Sequence, residues 1–392
     1  MNKLITVGVP AYKAENQIDS LLSSIMIQTI RDEVTVIIAS DNPPDNYNFV
    51  LDRFPELDIK VLPCEKNTGP GLARQRALDA CETDWITFMD ADDVLYTPFA
   101  LESLKNNISM NCIEVQGAFL QEHSEGNLTA LQRQEILANT GQVIPRAIPN
   151  NNINHPWVFG RLYNVNFIRE NNISFSELRA MEDGEFNWKI RMSIEGTPLK
   201  INVVDEPIYL WKAGSEHSIT RIGVKENGGV PLYNWDLCQV GSTVAAINAI
   251  QFCKAKNPFN GGIIRFTVEH MVSLYFTYIQ CLEKKPLFAE QCYFNAKRFY
   301  NYAYKEIEHQ INRHILKNVY TIQRANVGQD LVDIVPEITF FDFLGGIANE
   351  QFGGKEEFES IRSDYPEWVT ELDMKSGVLG TEGYIYTTNE RS

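Results

Sequence analysis

Three aspartates, Asp90, Asp92 and Asp93, follow directly after the apolar run at residues 85–89. An unpaired carboxylate buried beside such a run is costly, so these side chains either lie in water beyond a strand end or hold a positive group. Carboxylate oxygens are hard ligands for Mg²⁺ or Mn²⁺, ions that often take one or two protein carboxylates and complete their shell with phosphate and water. If strand geometry persists, alternation places Asp90 and Asp92 on one side and Asp93 on the other. The pair is therefore a candidate site for a metal that bridges a diphosphate.

The elements that must position these aspartates alternate between strands and helices along the first hundred residues. Apolar, β-branched runs predict four strands, at residues 4–10, 34–41, 59–63 and 85–93. Apolar spacing of 3.6 residues and a glycine-rich start predict helices from residue 18 and over 69–81. Strands separated by helices imply parallel pairing, and ligands gather at the carboxyl ends of such strands. Because Pro10, Asp41 and Asp90 all lie at carboxyl ends, one edge of the sheet is a candidate site.

The rest of the chain changes character at a glycine-rich break, KENGGVPLYN, at residues 225–234. A strand-like segment at 199–211 precedes the break, and a predominantly helical third follows it. We therefore predict domains at residues 1–224 and 225–392. The most apolar long stretch, at 264–282, contains Arg265, Glu269 and His270, which favours a buried helix over a membrane span.

Charge is distributed unevenly along the sequence. The formal net charge of −16 argues against a protein that coats nucleic acid through bulk attraction. Residues 251–324, however, hold eleven Lys and Arg against five Asp and Glu, among many Tyr and Phe. One interpretation is an amphipathic helical bundle with an aromatic core and solvated lysines. The other is an exposed face, including Lys297 and Arg298, that binds a phosphate-bearing acceptor such as DNA.

The seven cysteines form no Cys-x-x-Cys pair and no Cys/His cluster with zinc spacing. An odd, scattered set is typical of reduced thiols that pack as small hydrophobes. The amino terminus also lacks the long apolar core of a signal peptide. We therefore expect a cytoplasmic protein without a transmembrane segment.

Four sequence blocks together resemble the inverting glycosyltransferases of family two, which have a GT-A fold. The blocks are, in order, VGVPAYKAENQI, NTGPGLARQRAL, WITFMDADD and MEDGEF, and the resemblance spans about residues 3–221. It implies an α/β, Rossmann-like, mixed and mostly parallel sheet with helices on both faces, here followed by a helical carboxy-terminal extension. It also implies a hexosyl- or pentosyltransferase that uses a nucleotide-diphospho-sugar, with a UDP-sugar favoured, and Mn²⁺ or Mg²⁺.

The same resemblance assigns residues to the donor site. The residues implied are Pro10, Tyr12 and Glu15 around the nucleoside, Asp41 at the nucleobase, Asn67 and Arg74 near the ribose and phosphates, and Asp90, Ala91 and Asp92 in the Asp-x-Asp motif. Asp90 and Asp92 are the implied metal ligands, with Asp92 the more direct. Without the resemblance, Tyr12 is a loop aromatic, Glu15 is an acid at a helix start and Arg74 forms a surface ion pair.

The block MEDGEF supplies the second pair of acidic residues, Glu182 and Asp183. An acceptor hydroxyl that attacks an anomeric carbon must lose its proton, so a general base must face the sugar opposite the leaving group. The leaving diphosphate needs positive charge, which a metal provides. The resemblance implies that Asp183 is the base and that Glu182 supports it. Taken alone, the pair is an acidic helix start.

Two segments outside the four blocks carry further candidate residues, and the first of them departs from the family pattern. WKAGSEHSIT, at 211–220, stands where the family often has an Arg/His-rich stretch, and His217 is a candidate metal or diphosphate ligand or else an ordinary loop histidine. HPWVFGRLY resembles a segment near the acceptor pocket, so Trp157 and Arg161 are predicted on the acceptor side.

The main prediction is a metal-dependent glycosyltransferase that acts by single displacement on a saccharide or glycoconjugate acceptor. A second hypothesis keeps this chemistry and changes the acceptor to hydroxymethylated DNA bases, as in phage-type enzymes, because the basic, aromatic-rich segment suits phosphate contacts and stacking. A third, from another class, is a nucleotide-sugar-binding protein without catalysis, which the presence of Asp90, Asp92 and Asp183 disfavours.

Overall fold

The computed structural model describes residues 3–43, 47–122, 128–131, 143–144, 157–178, 180–212, 232–258, 261–284, 286–311, 315–316, 319 and 340–348. The chain divides into two compact units, Met1–Ser218 and Ile219–Ser392. The predicted domain boundary at 224–225 lies outside the described residues.

The described residues of the amino-terminal unit form one mixed sheet of ten strands. In chain order they are β1 (Ile5–Ala11), β2 (Val34–Ser40), β3 (Asp58–Leu62), β4 (Trp85–Phe88), β5 (Val94–Leu95), β6 (Cys112–Glu122), β7 (Leu128–Leu131), β8 (Val143–Ile144), β9 (Arg161–Asn164) and β10 (Lys200–Lys212). The order across the sheet is β3-β2-β1-β4-β9-β6-β10-β5, with β7 on β6 and β8 on β10. The strands β1, β2, β3 and β4 pair in parallel, as do β6 and β10, whereas β9 lies antiparallel between β4 and β6.

Six helices surround this sheet in the described part of the unit. They are α1 (Ile18–Met26), α2 (Phe49–Arg53), α3 (Pro70–Asp79), α4 (Ala100–Asn106), α5 (Val165–Glu170) and α6 (Glu182–Ser193), with a 3₁₀ turn at Arg31–Glu33. The four strands and the two helices predicted in the first hundred residues are all present.

The two faces of β2 show why helices lie on both sides of the sheet. Successive strand residues point to opposite faces. Val36 and Ile38 belong to the larger core with the apolar face of α1, whereas Ile37 packs with Ala73 and Ala77 of α3. This arrangement confirms the predicted mixed α/β sheet with helices on both faces.

The close pairing of β6 with β10 depends on Gly117. A Cβ atom at this position would lie 2.1 Å from Cγ1 of Ile208, which is buried in β10. Gly117→Ala is therefore expected to lower the free energy of unfolding by about 1–3 kcal/mol, because a packed core must shift to admit the methyl group. Urea denaturation measures this loss. Gly261→Ala, where no heavy atom lies within 4 Å of the added Cβ, is the matched control. Equal midpoints for the two variants would contradict the prediction.

The carboxy-terminal unit is helical. Its described elements are α7 (Leu232–Lys256), α8 (Gly261–Lys284), α9 (Pro286–Phe299), a π-helical turn (Tyr300–Tyr304), α10 (Lys305–Ile307), a 3₁₀ turn (Glu308–Gln310) and α11 (Phe340–Ala348). Helix α8 contains the apolar stretch that was predicted to be a buried helix. Within the described residues, no helix combines the length and apolar character needed to cross a membrane.

The basic segment of this unit does not place Lys297 and Arg298 on an exposed face. Both side chains lie in α9 and are only 4% exposed, and Nη1 of Arg298 donates to Oδ1 of Asn295. The buried aromatic residues of the segment include Tyr293, Phe294, Phe299, Tyr300 and Tyr304. An aromatic bundle core was one of the two interpretations. The exposed basic face of the other is wrong for Lys297 and Arg298, because α9 packs these positions inward.

Candidate active site

Asp41 lies just beyond the carboxyl end of β2 and organises the loop that leads into α3. The backbone N–H of Asp41 donates to the carbonyl of Ala11, extending the ladder between β1 and β2. Its Oδ1 accepts from the backbone N–H and the hydroxyl of Thr68, at 2.8 and 2.7 Å, and its Oδ2 accepts from the N–H of Gly69 at 2.7 Å. The carboxylate is almost fully buried. Asp41 therefore holds the loop before α3, and a contact with a nucleobase stays a prediction.

Arg76 and Thr68, which the sequence analysis did not single out, complete this arrangement. Nη1 of Arg76 donates to the hydroxyl of Thr68, and Nη2 donates to the carbonyl of Ser40. The guanidinium also lies 3.6 Å from the carboxylate of Asp41. Their position beside the glycines of the second block was the only signal in the sequence, and their hydrogen-bond partners could be identified only from the fold.

The other predicted donor residues lie at the same edge of the sheet. Pro10 is the penultimate residue of β1, and Tyr12, just after the strand, has 48% of its surface exposed. Oε1 of Glu15 accepts from the side-chain amide of Asn42, and Nδ2 of Asn67 donates to the carbonyl of Asp41. The predicted residues around β1 and β2 are thus brought together, and Tyr12 offers an exposed ring to a ligand.

The aspartate motif lies in a turn rather than in a continued strand. Strand β4 ends at Phe88, so the expected alternation through residue 92 does not apply. Asp93 is buried, and its carboxylate accepts from the hydroxyl of Tyr209 and the backbone N–H of Lys212. The N–H of Asp90 donates to the same tyrosine oxygen. Asp93 and Tyr209 therefore fix the turn, while Asp90 and Asp92 remain partly exposed and Ala91 is buried.

Helix α6 begins at the second acidic pair. Met181, before the helix, has a left-handed backbone conformation with φ of 68°. Glu182 is buried and Asp183 is half-buried, with Oδ1 of Asp183 accepting from the N–H of Gly184. Burial and the negative charge of Glu182 raise the pKa of Asp183 to about 8, although Arg74 opposes this increase. A carboxylate with this pKa is a competent proton acceptor near neutral pH.

Arg74 joins the two acidic motifs. Its Nη2 donates to Oδ1 of Asp90 at 2.8 Å, and its Nη1 donates to Oε1 of Glu182 at 2.6 Å. Burial disfavours the charge of Arg74, but Asp90, Glu182 and Asp183 raise its pKa above the ordinary value. The alternative of a surface ion pair is wrong, because the arginine side chain is only 7% exposed.

The carboxylates of the aspartate turn, Asp90 and Asp92, suit a divalent metal ion that needs few protein ligands. Within the described ranges, no group of three or more His, Cys, Asp or Glu side chains is arranged to hold a metal. Two partly exposed carboxylates, one of them shared with Arg74, do not form a complete protein cage. They fit Mg²⁺ or Mn²⁺, which bind through one or two carboxylates and take their remaining oxygens from phosphate and water.

The predicted acceptor-side residues separate in the structure. Trp157 is partly exposed, and its ring stacks on Phe159 with centroids 5.7 Å apart. Arg161 instead has no exposed surface, and its Nη1 donates to Oε1 of Glu114 at 2.6 Å. The prediction for Arg161 is corrected: it lies in a buried ion-pair network with Arg191, where an acceptor cannot reach it. His217 lies outside the described residues.

The comparisons with known proteins agree with the fold of the amino-terminal unit. Residues 6–171 match the family described as Glycosyl transferase family 2. This segment therefore resembles glycosyl transferase family 2. The match includes the first three sequence blocks, whereas the block that carries Glu182 and Asp183 lies beyond it.

Two curated relatives extend the similarity. The chain is 23% identical over 234 residues to "Uncharacterized glycosyltransferase EpsJ" of Bacillus subtilis, covering 57% of this chain and 65% of that protein. It is 26% identical over 226 residues to "Poly(ribitol-phosphate) beta-N-acetylglucosaminyltransferase TarS" of Staphylococcus aureus, covering 54% of this chain and 36% of TarS. The chain thus spans less than two thirds of the length of both relatives.

The fold is also found in a crystal structure. Residues 1–349 of S. aureus TarS, crystallised in complex with UDP-GlcNAc, superpose with a TM-score of 0.54 at 17% identity, covering 83% of this chain and 91% of the TarS chain. This likeness confirms the predicted GT-A architecture with a helical carboxy-terminal region.

Proposed function

We propose that the protein is a glycosyltransferase that moves a sugar from a nucleotide-diphospho-sugar to an acceptor hydroxyl by single displacement with inversion. The observation that carries this proposal is the pair of bonds from Arg74 to Asp90 and Glu182. They bring the turn expected to bind the donor next to the helix expected to carry the base. A UDP-sugar is the favoured donor, since TarS, which has a similar fold, was crystallised with UDP-GlcNAc.

Asp183 is the proposed general base. Its half-buried carboxylate lies at the start of α6, beside Glu182, which is held by Arg74. Attack by the acceptor oxygen on the anomeric carbon forms one bond while the bond to the diphosphate breaks, and the acceptor proton passes to Asp183. The leaving nucleoside diphosphate departs on the opposite side of the sugar, so the anomeric configuration inverts.

Asp90 and Asp92 are the proposed holders of Mg²⁺ or Mn²⁺. When bound, such an ion supplies positive charge to the departing diphosphate. Oδ1 of Asp90 accepts from Nη2 of Arg74, so a metal held by Asp90 would share this carboxylate with the arginine. The family resemblance implies that Asp92 is the more direct ligand of the two.

The proposed acceptor is a saccharide or a glycoconjugate. TarS, one of the curated relatives, is named for transfer to poly(ribitol-phosphate), and this supports a glycoconjugate as the class of acceptor. The buried positions of Lys297 and Arg298 weaken the argument for DNA, because these two basic residues of segment 251–324 are not available to phosphates.

Release of nucleoside diphosphate from a panel of nucleotide sugars tests the function. With Mn²⁺ or Mg²⁺ present, we expect slow hydrolysis of a UDP-sugar in which water replaces the acceptor. Calorimetry on the same panel distinguishes the proposed enzyme from a non-catalytic binding protein. A non-catalytic protein should bind the donor without any hydrolysis. Absence of hydrolysis across the panel would contradict the proposal, whether or not a donor binds.

The raised pKa of Asp183 predicts the pH dependence of this hydrolysis. A base acts only when it is ionised, so the rate should rise with pH as Asp183 loses its proton. In the absence of metal the pKa is about 8, and the charge of a bound cation lowers it toward neutrality. A pH profile of kcat at saturating Mn²⁺ should therefore show a rising limb well above the ordinary carboxyl range of about 4. A rising limb at or below pH 4 would contradict the assignment.

A further inference from the structure

The start of helix α3 forms a junction with helix α6, and this junction rests on two residues spaced three apart. Residues at i and i+3 lie on the same face of a helix. Gly71 and Arg74 have this spacing in α3, and both face Glu182. The junction therefore combines a close backbone approach with a buried ion pair.

Gly71 permits the approach. A Cβ atom at residue 71 would lie 2.4 Å from the carbonyl oxygen of Ser176 and 3.0 Å from Cγ of Glu182. Neither distance is possible without movement of the segment that precedes α6 or of the glutamate itself. Only glycine lets α3 come this near to the acidic pair.

Arg74 bonds to Glu182 across the close approach that Gly71 permits. The guanidinium is a planar fork, so two of its nitrogens can bond two carboxylates at fixed relative positions. In this protein the two carboxylates belong to different motifs, Asp90 after β4 and Glu182 at the start of α6. The guanidinium nitrogens lie 2.8 Å from Oδ1 of Asp90 and 2.6 Å from Oε1 of Glu182. A lysine has a single terminal nitrogen and cannot reproduce this geometry.

Further hydrogen bonds join α3 and the residues just after it to α5 and to the chain between α5 and α6. Oε1 of Gln75 accepts from the N–H of Phe175, and Nη2 of Arg169 donates to the carbonyls of Leu78 and Cys81. Helix α3 is thus attached to this segment at several points. Arg74 is the attachment that also reaches the aspartate turn.

We propose that Arg74 is a positioning residue that sets the place of the base helix relative to the aspartate turn, and that it does not bind the donor phosphates. This rests on the proposed function and differs from the role that the family resemblance implies for Arg74. Each terminal nitrogen of the guanidinium donates to a protein carboxylate, and the side chain is 7% exposed, so little of it is open to a donor phosphate. Its loss should therefore impair turnover more than donor affinity.

Steady-state hydrolysis of a UDP-sugar by Arg74→Ala tests this role. We expect kcat to fall by about 10²-fold, the scale of a displacement of roughly 1 Å between reacting groups, while KM for the donor changes by less than about threefold. Methylguanidinium at millimolar concentration should restore part of kcat, because it can refill the space and bond both carboxylates. Methylammonium, which cannot bond both, should not. A large rise in KM with unchanged kcat would overturn the proposal and assign Arg74 to the donor.

Two further variants sharpen the result. Arg53→Ala removes an exposed ion pair with Asp19 outside the site, and it should keep full activity and show no response to methylguanidinium. Gly71→Ala should lower kcat as Arg74→Ala does, but without rescue, because its guanidinium is intact. Rescue of Gly71→Ala, or failure to rescue Arg74→Ala when circular dichroism shows it folded, would count against the positioning role.

A measurement without catalysis separates this proposal from the proposed function. If the wild type hydrolyses no nucleotide sugar, the function fails, yet the bridge can still be tested by unfolding. The midpoint of urea unfolding should fall less in the double variant Arg74→Ala, Glu182→Gln than the sum of the two single variants, because both remove the same interaction. If Arg74→Ala does not fold, Arg74→Lys, which keeps the charge, serves in its place. Additive losses would overturn the bridge.

Discussion

Asp183→Asn is expected to lower donor hydrolysis by about 10²–10⁴-fold, the usual contribution of a positioned general base. The amide cannot accept the proton of the attacking oxygen. It occupies nearly the same volume, so the start of α6 should keep its shape, including the bond of Arg74 to Glu182. Calorimetric affinity for UDP with Mn²⁺ should change by less than about threefold, because a base acts on the acceptor and does not hold the donor.

The control for this experiment is Asp32→Asn, since Asp32 is largely exposed in the 3₁₀ turn Arg31–Glu33 and pairs with its neighbour Arg31. It makes the same chemical change outside the site and should leave both hydrolysis and binding unchanged. Near-normal hydrolysis in Asp183→Asn would reduce the residue to an acid at a helix start. A comparable loss of UDP affinity would also contradict its role as a base.

Asp92→Asn is expected to show the opposite division between binding and turnover. Loss of a metal ligand should weaken Mn²⁺-dependent binding of UDP by at least about 10²-fold. Even mutation of a residue that only hydrogen-bonds to a metal ligand typically lowers metal affinity by about 10–100-fold. Hydrolysis should be abolished with it. The amide oxygen remains a neutral donor, but it loses the charge that a hard cation requires.

Calorimetric titration of UDP with and without Mn²⁺ measures this effect. Binding in the absence of metal should be the same in Asp92→Asn and the wild type, which shows that the nucleoside part of the site is intact. Undiminished metal-dependent binding would remove Asp92 from the metal site. Asp93 is not a suitable comparison, because its carboxylate is held by Tyr209 and the backbone of Lys212 and its loss would disturb the turn.

Local patterns predicted the framework of the amino-terminal unit. The strands β1, β2, β3 and β4 are marked by continuous apolar runs, and α3 begins at the glycines of its block. The sheet edge that carries Pro10, Asp41 and Asp90 followed from parallel pairing alone. Periodicity and turn residues are local properties, so they can be recognised in the sequence before the fold is known.

The partners of charged residues were not predictable in the same way. Arg74 and Glu182 are 108 residues apart, and no local pattern reports a contact at that separation. Arg161 looks like an exposed basic residue in sequence, but β9 lies inside the sheet and forces it into an ion pair with Glu114. Lys297 and Arg298 were misplaced for the same reason, because burial of a charged side chain depends on tertiary packing.

The stereochemistry of donor hydrolysis tests the central claim most directly. Proton NMR of UDP-α-GlcNAc with Mn²⁺ and the wild-type protein distinguishes the first-formed anomer before mutarotation mixes the two. A base on the face of the sugar opposite the diphosphate requires water to attack from that face, so β-GlcNAc should form first, and Asp183→Asn should abolish the signal. First formation of α-GlcNAc, or β-GlcNAc formed equally by Asp183→Asn, would contradict single displacement with Asp183 as the base.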